Sequence, residues 1–347
     1  MKKFKLLTLT FAMAFSWLLS GCGSDKPAPS ASSPAGSPTA ETSGKPLNIG
    51  LVTDVTGVND KAFSQSAWEA LSKIRQDLGI QVRYLQSKTD ADFVPNLSQF
   101  VRNDYDLTWG TGFVMADAVR KVAQENPNAK LAIVDNEVDE PNVQSVLFSE
   151  QEGSFLVGVI AGMMTTTGKV GFVGGMKIPV IAKFEAGFKA GVAAANPEAE
   201  ILVNYTGAFD KPDLGKTAAS VLYNDGVDII FHAASATGAG VFNEAKDRFQ
   251  KGQRVWVIGV DKDQSLEYGD DITLSSMMKR VDEAVYRVSK EMAEGNFQGG
   301  TTLQLGLKEN GVGIADTSSK NVPADVLAKV EEYKQKIIDG EIQIPVQ

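Results

Sequence analysis

From Leu47 onward the chain alternates short apolar runs with longer amphipathic stretches, and this alternation limits its fold more than any single motif does. The strand candidates are Leu47–Val52, Gln81–Leu85, Asp106–Gly110, Lys130–Val134 and Val143–Phe148, then Lys169–Gly174, Glu200–Tyr205, Asp228–Ala233, Arg254–Val260 and Ile272–Met277. Several are β-branched and nearly all apolar, as strands covered on both faces must be. Between them, Ala62–Asp77 places Phe63, Ala67, Ala70, Leu71 and Ile74 on one helical face. Phe113–Glu125, Glu150–Thr166, Ile181–Ala195, Lys211–Tyr223 and Ala239–Gln250 follow the same period. Gly79, Gly168, Gly226 and Gly252 fall just past helix ends, where a left-handed residue is wanted. Asn126-Pro127 and Asn196-Pro197 stop two further helices. The β-α-β-α order predicts an α/β fold with parallel sheets. Ten strands in 347 residues suit two five- or six-stranded units better than one. Glu125–Val134 and Ala195–Asn204 both run helix end, Asn-Pro, two residues, strand, which reads as one supersecondary unit used twice.

The residues ahead of this region read as an address. Lys2, Lys3 and Lys5 precede an apolar run from Leu6 to Leu19, and small residues follow, the order of an export signal. The run is 14 residues long, short of the ~20 that a spanning helix needs. It ends in Leu19-Ser20-Gly21-Cys22, which resembles the bacterial lipobox, and Cys22 is the only cysteine in the chain. Residues 1–21 are therefore expected to be a lipoprotein signal peptide, with Cys22 lipidated. Such a protein is held at a bacterial membrane, in the cell envelope, facing outside the cytoplasm. Residues 22–45 are Ser, Pro, Ala, Gly and Thr with almost no apolar bulk, and are expected to form a flexible tether.

Composition excludes several functions. The formal net charge is −9, and loss of the three leader lysines leaves the rest more acidic, so nucleic acid is an unsuitable partner. One cysteine permits neither an intrachain disulfide nor a Cys-based zinc cluster, and one histidine excludes a two-His metal motif. That histidine, His232, sits in an apolar run and reads as a buried strand-end residue. Neither the full G-x-G-x-x-G nor the P-loop pattern is present. Asp261–Asp271 is the one acidic cluster and reads as a solvated loop, so no enzyme activity and no cofactor are expected.

In open α/β sheets, ligands bind beyond the carboxyl ends of the strands. The residues there are Asp54, Asp135, Asp261 and Lys279, with the glycines of Gly110-Thr111-Gly112 and of the turn at Gly238. Carboxylates accept hydrogen bonds from vicinal hydroxyls, and Phe63 and Phe184, near helix starts, suit a flat ring. Each has a structural reading too. Asp54 suits a turn cap, Asn59 and Asp60 suit helix N-caps, and Lys279 suits an ion pair with Asp282 or Glu283.

The segment DVTGVNDKAFSQSAWEAL (Asp54–Leu71) resembles the opening D-x-G-G-x-N-D-K-S-F-N-Q-S-A-x-E-G-L of the basic membrane protein family, lipoprotein substrate-binding components of ABC transporters. The resemblance continues through Phe148–Val192, Tyr223–Lys246, Val257–Gln264 and Ser275–Val285. It implies a type I periplasmic-binding-protein fold, with two lobes hinged around a cleft. The first lobe would hold residues 46–149 plus about 278–300, the second 150–277 plus about 301–347. Several members of the family bind purine nucleosides, so the resemblance implies such a ligand, an ABC permease as partner and a monomeric receptor. Phe63 and Phe184 match the positions that stack the base. Asp54, Asp135, Asp261 and Lys279 match groups that hold base edge and ribose, and Gly238 matches a backbone contact. Asn59, Asp60, Ser64 and Gln65 lie in the opening motif and are carried as ligand-binding candidates. Ser64 replaces an Asn of the motif and cannot make a bidentate amide contact, so it bears on base preference. A sugar or other small metabolite as ligand, or a sensing role, is the alternative.

Overall fold

The computed structural model describes residues 46–347, so the leader, Cys22 and the tether lie outside the described residues. The strands form two six-stranded sheets. The first contains β1 (Asn48–Thr53), β2 (Gln81–Gln86), β3 (Leu107–Thr111), β4 (Leu131–Val134) and β5 (Val143–Phe148). The second contains β6 (Lys169–Gly174), β7 (Glu200–Tyr205), β8 (Ile229–Ala233), β9 (Trp256–Asp261) and β10 (Thr273–Lys279). Each sheet gains a late strand, β11 (Thr301–Leu305) in the first and β12 (Val312–Ile314) in the second. The orders are β11-β5-β4-β3-β1-β2 and β12-β10-β9-β8-β6-β7, the same doubly wound pattern. All pairs are parallel except β10 with β12.

The helices are α1 (Phe63–Leu78), α2 (Phe93–Arg102), α3 (Ala116–Glu125), α4 (Glu150–Met164), α5 (Pro179–Ala195), α6 (Pro212–Asn224), α7 (Gly238–Gln250), the short α8 (Ser265–Tyr268), α9 (Val281–Ala293) and α10 (Ala324–Ile338). α1 stops at Gly79, whose φ of +70° lets its N–H donate to the Arg75 carbonyl. The central strands are buried along their length, and the core runs between sheets and helices through Ile49, Leu51 and Trp109 in one lobe and Phe172, Phe188 and Phe231 in the other.

The chain crosses between sheets three times: after β5 into α4, after β10 into α9, and between β11 and β12. α4 packs on α5 of the second lobe, and α9 packs on α1 of the first. Buried Trp109 of β3 donates its Nε1–H to Ser289 Oγ of α9 at 3.1 Å, which ties α9 back to the first lobe. One boundary differs from expectation. Thr301–Leu305 pairs with β5, so these residues belong to the first sheet rather than to the second lobe. The cause is an edge strand that is largely exposed and so lacks a buried strand's apolar run. Among the described residues, no helix is long and apolar enough to cross a membrane.

Candidate functional site

The carboxyl ends of β1, β4, β8, β9 and β10 converge on a cavity between the two lobes. Asp54 follows β1, Asp135 follows β4, Ala234 and Ser235 follow β8, and Asp261 and Lys279 end β9 and β10. Asp135 (φ +73°), Ser235 (φ +48°) and Asp261 (φ +66°) all line it in the left-handed region, although none is glycine. Such conformations persist only where surrounding structure imposes them, and they concentrate at functional sites.

Lys279 is the electrostatic centre. Its Nζ donates to both carboxylate oxygens of Asp135, at 2.6 and 2.7 Å, and forms an ion pair with Glu150 at 3.0 Å. All three side chains are buried. Burial alone would lower the Lys279 ammonium, but Asp135, Glu150 and Asp261 outweigh it and hold the group above its ordinary value. The expected partners Asp282 and Glu283 play no part, since Glu283 pairs with Arg280 instead. Asp261 is a buried residue that lines the cavity, and its carboxylate accepts no hydrogen bond among the described residues. Burial pushes it up to about 7, with Lys279 opposing and Asp60, Asp135 and Glu150 adding to the rise. The Asp54 carboxyl is also raised by burial, against two hydrogen bonds that its Oδ1 accepts from the Thr56 N–H and hydroxyl.

The walls are largely apolar. Phe63, the first residue of α1, lies on the first-lobe side, and Phe184, in the second turn of α5, lies on the second. The Lys279 Nζ stands 5.1 Å from the Phe63 ring centre and 5.7 Å from that of Phe184, so both rings face one polar centre. Phe113, Phe209, Ile178 and Ile181 complete the walls. Sequence reasoning missed these four and Glu150. Phe113 sits just after the Gly110-Thr111-Gly112 turn at the end of β3, a signal that was available.

Five candidates are not among the cavity's lining residues. Asp60 caps the start of α1, accepting from the Ala62, Ser64 and Gln65 N–H groups, and also accepts from the Ser235 hydroxyl of the other lobe at 2.8 Å. Asn59 is exposed. Ser64 is buried with its hydroxyl 3.5 Å from that of Thr56. Gln65 accepts from the Lys61 N–H and donates to Glu69. The Gly238 N–H is used within its own turn, and an added Cβ would stand 2.1 Å from the His232 ring, so this glycine makes room for the histidine. His232 is fully buried, with Nε2 2.8 Å from Gln264 Oε1, and burial lowers it to about 4. Gln264 in turn donates from Nε2 to the Lys61 carbonyl across the lobes at 3.1 Å.

Residues 48–347 match the family Bmp, described as ABC transporter substrate-binding protein PnrA-like. The chain belongs to this family. A Bmp relative from Listeria monocytogenes, named CD4+ T-cell-stimulating antigen, is 45% identical over 98% of this chain and 97% of its own. One from Lactococcus lactis, named ABC transporter nucleoside-binding protein BmpA, is 35% identical over 99% of both chains. Among solved structures, an ABC transporter solute-binding protein from Aeropyrum pernix superimposes with a TM-score of 0.82 at 32% identity, covering 87% of this chain and 94% of that one. The fold is thus that of the periplasmic binding proteins. As a Bmp protein the chain is an extracytoplasmic substrate-binding component that takes a small molecule and works with an ABC permease.

Proposed function

We propose that this protein captures a purine nucleoside between its lobes and delivers it to the permease, as a monomer anchored through lipidated Cys22. The observation that carries the reading is an aromatic-walled cavity lined by Asp261, a buried residue whose carboxylate accepts no hydrogen bond among the described residues. Phe63 and Phe184 suit the two faces of a base, a contact of ~1–3 kcal/mol per base. Asp261 suits the donors of a ribose diol, and Asp54 those of the base edge. The lobes of the predicted domain division close on this ligand, and the site performs no chemistry on it. A relative named for nucleoside binding supports the ligand class.

The test is a thermal-shift panel of nucleosides, free bases and sugars. A purine nucleoside at a hundred times its Kd should stabilise the protein by ~2.7 kcal/mol, and Phe63→Ala should remove the shift. Stabilisation by ribose alone would assign a sugar instead. The anchor is tested separately: Cys22→Ser should move the protein from the membrane fraction to the soluble fraction, and unchanged membrane association would rule out lipidation as the tether.

A further inference from the structure

Glu150 is one of the most deeply buried acids in the protein, yet it does not line the cavity. It is the first residue of α4, just after the first crossing between lobes, and Lys279 immediately precedes the second crossing. Its Oε1 lies 3.0 Å from Lys279 Nζ, and its Oε2 accepts from Lys183 Nζ at 3.2 Å. Lys183 also donates to the Phe148 carbonyl at 3.3 Å, which fixes it beside the crossing. The Lys279 ammonium therefore hydrogen-bonds Asp135 and ion-pairs with Glu150, and no hydrogen bond joins it to Asp261 among the described residues.

We propose that Glu150 is a positioning residue for the binding cavity: by sharing the Lys279 ammonium with Asp135, it leaves Asp261 as the carboxyl group that gives up a proton when ligand binds. The inference rests on the nucleoside reading for the identity of that ligand. The groups facing Asp261 are Asp60 before α1, Asp135 after β4, Glu150 on α4 and Lys279 on β10, three acids against one base. His232 on the neighbouring β8 is directed to Gln264 and is neutral. Burial pushes Asp261 up to about 7. Ligand hydroxyls that donate to it stabilise its ionised form, so the proton leaves to solvent on binding. Below the midpoint of the free protein, affinity must then fall by up to tenfold per pH unit, and above it affinity is level. Removing the Glu150 charge relieves Asp261 of one repelling neighbour and moves the midpoint down.

The experiment measures inosine affinity by calorimetry from pH 5.5 to 9, alongside the ¹³C titration of the Asp261 carboxyl in the ligand-free protein, assigned with Asp261→Asn. The wild type should show a break near pH 7 and proton release on binding. Glu150→Gln should move break and carboxyl midpoint down by about one unit. Glu150→Asp, which keeps the charge and shortens the reach, should leave the break in place while weakening affinity at every pH. Should Glu150→Gln not fold, Lys183→Met, at a half-buried site, should move the midpoint upward. An Asp261 midpoint identical in wild type and the charge variants overturns the proposal. Inosine failing to bind at any pH would sink the nucleoside reading alone, and the ligand-free titration then decides the role of Glu150.

Discussion

Asp261 and His232 lie on paired strands, and folding shifts them in opposite senses. Burial raises Asp261 to about 7 and lowers His232 to about 4 from an ordinary 6.5. Between about pH 4 and 7 the folded protein holds a proton at Asp261 that the unfolded chain has lost, so the stability contributed there falls as pH rises. At His232 the unfolded chain holds the extra proton between about pH 4 and 6.5, so that contribution is present above this window and is lost as pH falls through it. The two slopes oppose each other in the wild type. Asp261→Asn should expose the histidine's slope, with urea midpoints rising from pH 4.5 to 6.5. His232→Gln should expose the aspartate's, with midpoints falling over the same range. Equal slopes in the two variants would refute the assignment. Gly238 shows why single residues are hard to read from sequence: its position in the motif was visible, but the ring that excludes a Cβ there comes from a strand end held by tertiary packing.

At the scale of elements, the start of α1 joins stability to binding. Asp60 satisfies three of the N–H groups at the start of the helix whose first residue is Phe63, and it also accepts from Ser235. Asp60→Ala should therefore cost ~1–2 kcal/mol of stability and displace the Phe63 ring, weakening ligand binding as well. Ser235→Ala removes the bond between lobes together with a hydroxyl of the cavity wall, and should weaken binding while leaving the melting temperature of the ligand-free protein nearly unchanged. Equal losses of melting temperature in both would show that the contact is purely structural. The eight inner strands were legible because burial on both faces demands continuous apolar runs, and the edge strands β2 and β7 were legible from their shorter apolar runs despite their exposure. β11 and β12 were not, being short edge strands, and α2, α9 and α10 were passed over although their apolar residues recur at helical spacing. The Asn-Pro units lead into β4 and β7, which occupy non-equivalent places in the two sheets. Lobe by lobe β4 corresponds to β9 and β7 to β2, so the repeated sequence reflects shared loop chemistry and not the relation between lobes. Of the cavity's lining residues, Asp54, Asp135, Asp261 and Lys279 could be placed because a strand's end is a fixed place in this topology, and Phe63 and Phe184 because they stand near helix starts. Glu150 was not, since nothing in a helix's first residue discloses which lysine it will meet across a crossing.

For the whole molecule, the contacts between lobes divide into two sets with different fates. Glu150 and Lys279 sit at two of the three crossings, where the chain is continuous and lobe rotation moves atoms least. Asp60 with Ser235, the Lys61 carbonyl with Gln264, and Glu69 with Lys262 join the loop and first turns before and within α1 to the second lobe, away from those crossings. A hinged opening keeps the first set and breaks the second. The second set is three hydrogen-bonded contacts, one of them an exposed ion pair that contributes little alone, so ligand buried between the lobes supplies much of the closing free energy. If closure precedes tight binding, the measured Kd rises as the closed fraction falls. Combining Ser235→Ala with Lys262→Ala should therefore enlarge the ligand-free radius of gyration in small-angle scattering and weaken binding, while saturating ligand returns the radius to its wild-type bound value. A radius unchanged by both substitutions and ligand would mean that these contacts do not hold the lobes together and that the cleft is rigid.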